Sequence, residues 1–170
     1  MSTFSHFKDS ALFSVAAAVL RLAGERGLTL GTAESCTGGL IAGALTAVPG
    51  SSAVFKGGVV SYWEEVKTTV LDVDEQVIAT QGVVSSACAE QMACGARKVL
   101  GCDIAVSTTG IAGPGGAEPG KPVGTVWFGV STPKGTASLL KTFSGNRATV
   151  REMAVNEALE IFLKALKQLA

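Results

Sequence analysis

Thr32-Ala33-Glu34-Ser35-Cys36-Thr37-Gly38-Gly39 places a hydroxyl, a thiol and two glycines where an apolar run gives way to a small-residue helix. A turn of this kind, leaving a strand and entering a helix, presents its side chains at the carboxyl edge of a sheet, where α/β proteins bind ligands. The free N–H groups of the following helix would face an anion or a developing oxyanion. The plainer reading is that Ser35 or Thr37 only caps that helix. A second stretch, Pro49-Gly50-Ser51-Ser52 through Tyr62 to Lys67, supplies another serine, a tyrosine and a lysine. Serine needs a base to lose its proton, and a buried lysine serves if burial lowers its pKa by several units. The plainer reading of Lys67 is a solvated lysine on a short helix. The third stretch, Gly110 to Gly116 continuing to Lys121-Pro122-Val123-Gly124, is dense enough in glycine for its backbone to approach a ligand closely. Its alternative is an ordinary mobile surface loop.

Other chemistries fail on residue type. The chain has one histidine, His6, near its amino terminus, so nothing is placed to activate Cys36 as a rival nucleophile. Cys36, Cys88, Cys94 and Cys102 form no Cys-x-x-Cys pair, and no histidine, cysteine or carboxylate cluster has metal spacing; no metal and no cofactor are expected. Gly115, Gly120 and Lys121 have the spacing of a phosphate-binding loop, but Pro122 replaces the hydroxyl that would hold Mg²⁺ and a strand follows where a helix is needed. No Gly-x-Gly-x-x-Gly follows the first strand.

The elements that must position these loops read as an alternation. A helix is predicted from Phe7 to Gly24, a strand from Leu28 to Ala33, and a helix from Gly38 to Val48, ended by Pro49-Gly50. A strand over Gly58 to Tyr62 and a helix over Glu64 to Leu71 follow, with a helical turn over Asp74 to Thr80. Ser85 is the expected N-cap of a helix ending at Leu100. Asp103 to Thr108, Thr125 to Ser131 and Ala137 to Phe143 read as strands, the last two joined at Pro133-Lys134-Gly135. Ala148 to Leu169 closes the chain as a long helix. The fold class is α/β: a three-layer α/β/α sandwich with a mixed, mostly parallel sheet of about five strands.

Composition bounds the rest. The 170 residues suit one domain, and 47% hydrophobic against 16% charged residues excludes a disordered chain. Fourteen basic and fourteen acidic residues give no basic field, so no nucleic-acid partner is expected. Ala11 to Leu20 resembles a signal-peptide core, but Ser14, Asp9 and Arg21 and its one-sided apolar face read better as the first helix. No apolar run reaches the roughly 18 residues that span a bilayer. Free thiols and a cytoplasmic location follow as expectations.

Taken in order, Thr32–Gly39, Pro49–Ser52, Ser61-Tyr62 with Lys67, Thr109–Pro114, Lys121–Val126 and Phe143–Arg147 resemble the CinA carboxy-terminal domain family, over about Leu28 to Leu169. Stand-alone members of that family are nicotinamide-nucleotide amidohydrolases. The amino-terminal molybdopterin-binding-like domain of the full-length proteins is not expected within these 170 residues. The resemblance implies hydrolysis of the carboxamide of nicotinamide mononucleotide to nicotinate mononucleotide and ammonia, by a metal-free Ser/Lys mechanism, in a homodimer with a small-molecule nucleotide as partner. By motif it carries over Ser35, Ser52, Tyr62, Lys67, Thr109 and Arg147. One departure stands out: the family usually shows Tyr-Ser-Asn where this chain has Tyr62-Trp63-Glu64, and an acid near Lys67 would favour its charged form. A catalytically weak nucleotide-binding module, or a hydrolase for a different nucleotide amide, are the alternatives.

Either serine could attack. If the first two strands are parallel, Ser35 and Tyr62 share one sheet edge with Lys67, whereas Ser52 lies a strand length away, about 17–20 Å. Ser35 is therefore the favoured nucleophile, with Lys67 as base, Tyr62 orienting the proton, and N–H groups from Cys36 to Gly38 as the oxyanion site. Thr37, Gly38, Thr109, Gly110, Gly113, Gly115 and Arg147 complete the expected substrate-binding set, Arg147 and the Gly110–Gly116 loop taking the phosphate.

Overall fold

The computed structural model describes residues 11–169. The elements are α1 (Ala11–Glu25), β1 (Leu30–Glu34), α2 (Leu40–Thr46), a 3₁₀ turn (Ser51–Ala53), β2 (Phe55–Val60), α3 (Glu64–Leu71), α4 (Glu75–Gln81), α5 (Ser86–Leu100), β3 (Ile104–Gly110), β4 (Thr125–Thr132), β5 (Gly135–Thr142) and α6 (Arg147–Gln168). They form a five-stranded sheet in the order β2-β1-β3-β4-β5. β1 runs parallel to both β2 and β3, while β4 is antiparallel to β3 and to β5. Only β4 is reversed, so the sheet is mixed with its other strands pointing one way.

Alternation along the central strands sorts the core into two layers. Leu30, Ile104, Val106, Val126 and Phe128 pack with Ala16, Val19, Ile41, Leu45, Ala154, Ala158 and Phe162 from α1, α2 and α6. Ala33 and Ala105 face the other way, onto Leu71, Cys88, Met92 and Ala96 of α3 and α5. Close approach on this second face needs a missing side chain: a Cβ on Gly129 would stand 2.1 Å from the Ala89 carbonyl.

Local signals explain the boundaries. Ser85 caps α5, its hydroxyl accepting from Cys88 N–H at 3.3 Å, and Gly101 ends it in the left-handed region at φ 57°. The second strand is Phe55–Val60, three residues earlier than its β-branched residues suggest; Ser61 and Tyr62 belong to the connection into α3, where Trp63 is extended. The hairpin strand starts at Gly135, because the pairing continues to the turn through Thr132↔Gly135. The expected helix start at Phe7, and His6, lie outside the described residues. Among the described residues no helix is long and apolar enough to cross a membrane.

Candidate active site

The register of the parallel strands decides which residues meet. Glu34 pairs with Val60 across β1 and β2, and with Thr108 across β1 and β3. The ladder continues one step further: Ser35 N–H donates to Thr108 O at 2.9 Å, and Ser61 N–H donates to Glu34 O at 2.9 Å. Ser35 and Ser61 are thus fixed at the carboxyl edge of adjacent strands.

Lys67 reaches this edge from α3. Its side chain is buried, 1% exposed, with Nζ 3.2 Å from Ser35 Oγ and 2.5 Å from Ser61 O. Burial pushes the amine below its ordinary range; Cys88, Glu64 and Cys36 pull the other way. Glu64 therefore acts as its sequence position suggests, but desolvation outweighs it. Beside the pair, burial raises the Cys36 thiol to about 11 and the Cys88 thiol to about 11, so both stay protonated near neutral pH.

The turn after Ser35 is held from two sides. Inside it, the buried Glu34 carboxylate accepts five hydrogen bonds: from Thr32 Oγ1 (3.3 Å), Thr37 Oγ1 (2.7 Å), Gly39 N–H (2.9 Å), Ile41 N–H (3.1 Å) and Ala42 N–H (2.8 Å). These N–H groups open α2 and would otherwise have no intrahelical acceptor. Gly38 and Gly39 both adopt positive φ, 62° and 92°, which lets the chain double back over the carboxylate. From outside, Arg151 on α6 donates to Cys36 O at 3.1 Å and to Thr37 O at 2.9 Å. In a planar trans peptide the N–H opposes the C=O, so this grip aims Thr37 N–H away from the arginine. Gly38 N–H is used on Ser35 O at 3.1 Å, while the N–H groups of Cys36 and Thr37, the rest of the expected oxyanion site, face the Cys36 thiol and no carbonyl.

The remaining expected residues divide. Arg147, the first residue of α6, donates to Gly113 O at 2.9 Å and to Tyr62 Oη at 3.2 Å, joining the glycine-rich loop to the β2–α3 connection at this same edge. The structure does not bring Tyr62 to the Ser35–Lys67 pair through its hydroxyl; that group meets Arg147. The Thr37 hydroxyl is committed to Glu34 and Thr108, and the Thr109 hydroxyl to Val83 O at 2.7 Å, so both build the site's walls. Gly110 sits against β4, where a Cβ would come 2.5 Å from Thr125 O, and Gly115 lies at the open part of the loop. Ser52 is exposed in the 3₁₀ turn before β2, at the opposite end of the strand from Lys67. No group of three or more histidine, cysteine or acidic residues among the described residues is placed to hold a metal. A cavity of about 390 Å³ lies elsewhere, between the β4–β5 hairpin and the end of α6, and contains none of these residues.

Glu34, Ser61 and Arg151 were not foreseen from the sequence. Glu34 had a signal: an acid ending a buried strand, just before paired glycines and a helix. Arg151 follows Arg147 by four residues, one helical turn, and so shares its face.

The family profile for the CinA C-terminal domain matches residues 12–166. A CinA-like protein of Desulfotalea psychrophila is 49% identical over 144 residues, 85% of this chain and 35% of its own length. A putative competence-damage inducible protein of Caldicellulosiruptor saccharolyticus is 45% identical over 148 residues, 87% of this chain and 36% of its own. The chain thus spans about a third of the length of the curated relatives it matches. Among solved structures, a CinA superfamily protein of Klebsiella pneumoniae aligns with a TM-score of 0.90 at 36% identity, covering 94% of this chain and 99% of that one. The competence/damage inducible protein CihA of Agrobacterium tumefaciens gives 0.88 at 40% identity, covering 93% and 96%. With sequence and sheet in agreement over nearly the same residues, the chain belongs to the CinA C-terminal domain family.

Proposed function

We propose that this protein is an amidohydrolase that removes the carboxamide nitrogen of nicotinamide mononucleotide, with Ser35 as nucleophile and Lys67 as general base. The observation that carries the reading is the buried lysine 3.2 Å from the Ser35 hydroxyl, with burial favouring its neutral form. A neutral amine at hydrogen-bond distance is what a serine requires when histidine is absent.

In this scheme Ser35 Oγ attacks the carboxamide carbon as its proton passes to Lys67 Nζ. The carbonyl oxygen becomes an oxyanion facing the N–H groups of Cys36 and Thr37. Lys67 returns the proton to the nitrogen, the C–N bond breaks and ammonia leaves, giving an ester on Ser35. Water then attacks the ester, giving its proton to Lys67, which passes it to the departing Ser35 oxygen. The sum is amide plus water to acid plus ammonia. Arg147, a positive fork at the meeting of α6, the glycine-rich loop and Tyr62, serves the phosphate.

Ammonia release from nicotinamide mononucleotide tests this. Lys67→Met keeps roughly the volume and removes the base, and turnover should fall by about three orders of magnitude or more. Lys67→Arg should be nearly as damaging, because arginine does not deprotonate in this range. The wild-type rate should fall as the pH drops through the lysine's lowered pKa, since protonation removes the lone pair. Full activity in Lys67→Met sinks the Ser/Lys scheme. Binding of the nucleotide without turnover in wild type points instead to a nucleotide-binding module.

A further inference from the structure

Two buried side-chain oxygens among the described residues have no hydrogen-bond partner, Ser61 Oγ and Glu157 Oε1. Glu157 has cations nearby, Lys141 at 3.6 Å and Lys164 at 4.0 Å. Ser61 is fully buried, and its hydroxyl has nothing. Leaving such a group unpaired is costly, so its presence asks for a reason.

Its position supplies one. Ser61 O already accepts from Lys67 Nζ, and the Oγ belongs to the same residue. A neutral amine has two N–H donors and one lone pair; an ammonium has three donors and no lone pair. At rest the lone pair can face the Ser35 hydroxyl while one N–H binds Ser61 O. Once Ser35 gives up its proton, Nζ carries three N–H bonds. One stays on Ser61 O, and one faces Ser35 and the leaving nitrogen. The third needs an acceptor on the protein side, where Lys67 is almost wholly buried. The titratable groups that face Lys67 are Glu64 on its own helix, Cys88 on α5 and Cys36 in the β1–α2 turn. The two thiols are weak acceptors when protonated, and Glu64 is exposed.

We propose that Ser61 is a positioning residue for Lys67: rotation about its χ1 brings Oγ onto Nζ, where it accepts the third N–H of the ammonium. Ser61 keeps its own proton throughout; the proton in transit moves only between Ser35, Lys67 and the leaving nitrogen. The role rests on the Ser/Lys reading above.

The test follows the Lys67 signal in the whole protein by NMR, using isotope-labelled lysine and no substrate, with Lys67→Met to assign it. In Ser61→Ala the titration midpoint of Lys67 should fall by about one pH unit, the loss of one charge-assisted hydrogen bond. Ser61→Thr keeps the hydroxyl and should restore it. Ser61→Cys, a poorer acceptor of similar shape, should reproduce the fall if the alanine variant does not fold. Ammonia release in Ser61→Ala should drop about tenfold, with its acid limb moved to lower pH by the same amount. Thermal stability should be unchanged or higher, because an unpaired buried hydroxyl is gone. An unchanged midpoint in both Ser61→Ala and Ser61→Cys overturns the proposal. A shifted midpoint in a protein that releases no ammonia sinks the substrate reading and leaves the Ser61–Lys67 contact standing.

Discussion

Ser35 and Ser52 stand at opposite ends of the same pair of parallel strands, and their surroundings share almost nothing. Ser52 is exposed in a short 3₁₀ turn, at the end of β2 away from Lys67. Ser35 is on the carboxyl edge, where the chain leaves β1 for α2, where β2 delivers Ser61, and where α3 returns Lys67 into the core. The lesson is that parallel topology makes the two edges unequal. Each strand exits at the same edge, so connections from different strands gather there and can close over a side chain. A serine becomes a candidate nucleophile by what those connections bury beside it, not by its own sequence neighbours.

The comparison breaks most sharply on substitution. Ser35→Ala should lower the rate constant by about a thousandfold or more with the nucleotide still bound, while Ser52→Ala should change it less than about twofold. A fluorophosphonate should label Ser35 alone, read by mass spectrometry of the peptides. Reversed losses, with label on Ser52, would overturn the assignment of Ser35 as nucleophile.

A smaller effect sharpens the role of the carboxyl edge. Arg147→Ala should lower kcat/KM for nicotinamide mononucleotide about ten- to hundredfold more than for nicotinamide riboside, which lacks the phosphate. The ratio between the two substrates is the quantity to measure, because it cancels general damage from losing the Gly113 and Tyr62 contacts. Equal losses on both would mean that Arg147 only joins the loop to the β2–α3 connection.

How far the sequence carries can be seen element by element. α3 has the span expected of it, Glu64–Leu71, and Ser85 caps α5 as expected, since both rest on signals within a few residues. β2 begins earlier than expected because Lys56 and Gly57 hide its first half, and pairing with β1, not composition, defines it. The Ser35–Lys67 approach followed from assuming parallel strands, which the register shows. What the sequence concealed is long-range: Arg151 meets residues more than a hundred positions earlier, and no local pattern announces that. Ser61 was equally hidden. A serine ending a strand is unremarkable until its hydroxyl is found buried without a partner.

The buried lysine also sets a cost on the fold itself. In the unfolded chain Lys67 would hold its proton up to its ordinary range, about 10.4; in the folded protein burial makes it give that proton up at lower pH. Between the lowered folded value and the ordinary range, unfolding therefore takes up a proton at this residue, and linkage makes the unfolded state more favourable as the pH falls through that window. Lys67→Met removes that slope, so the variant's unfolding free energy, measured by denaturant across this window, should gain on the wild type as the pH is lowered. A difference that stays constant with pH would mean that the amine holds its proton in the folded state. The desolvation that favours a neutral Lys67 makes the folded state the proton-poor one, held against the tendency of its own chain to reclaim the proton and open.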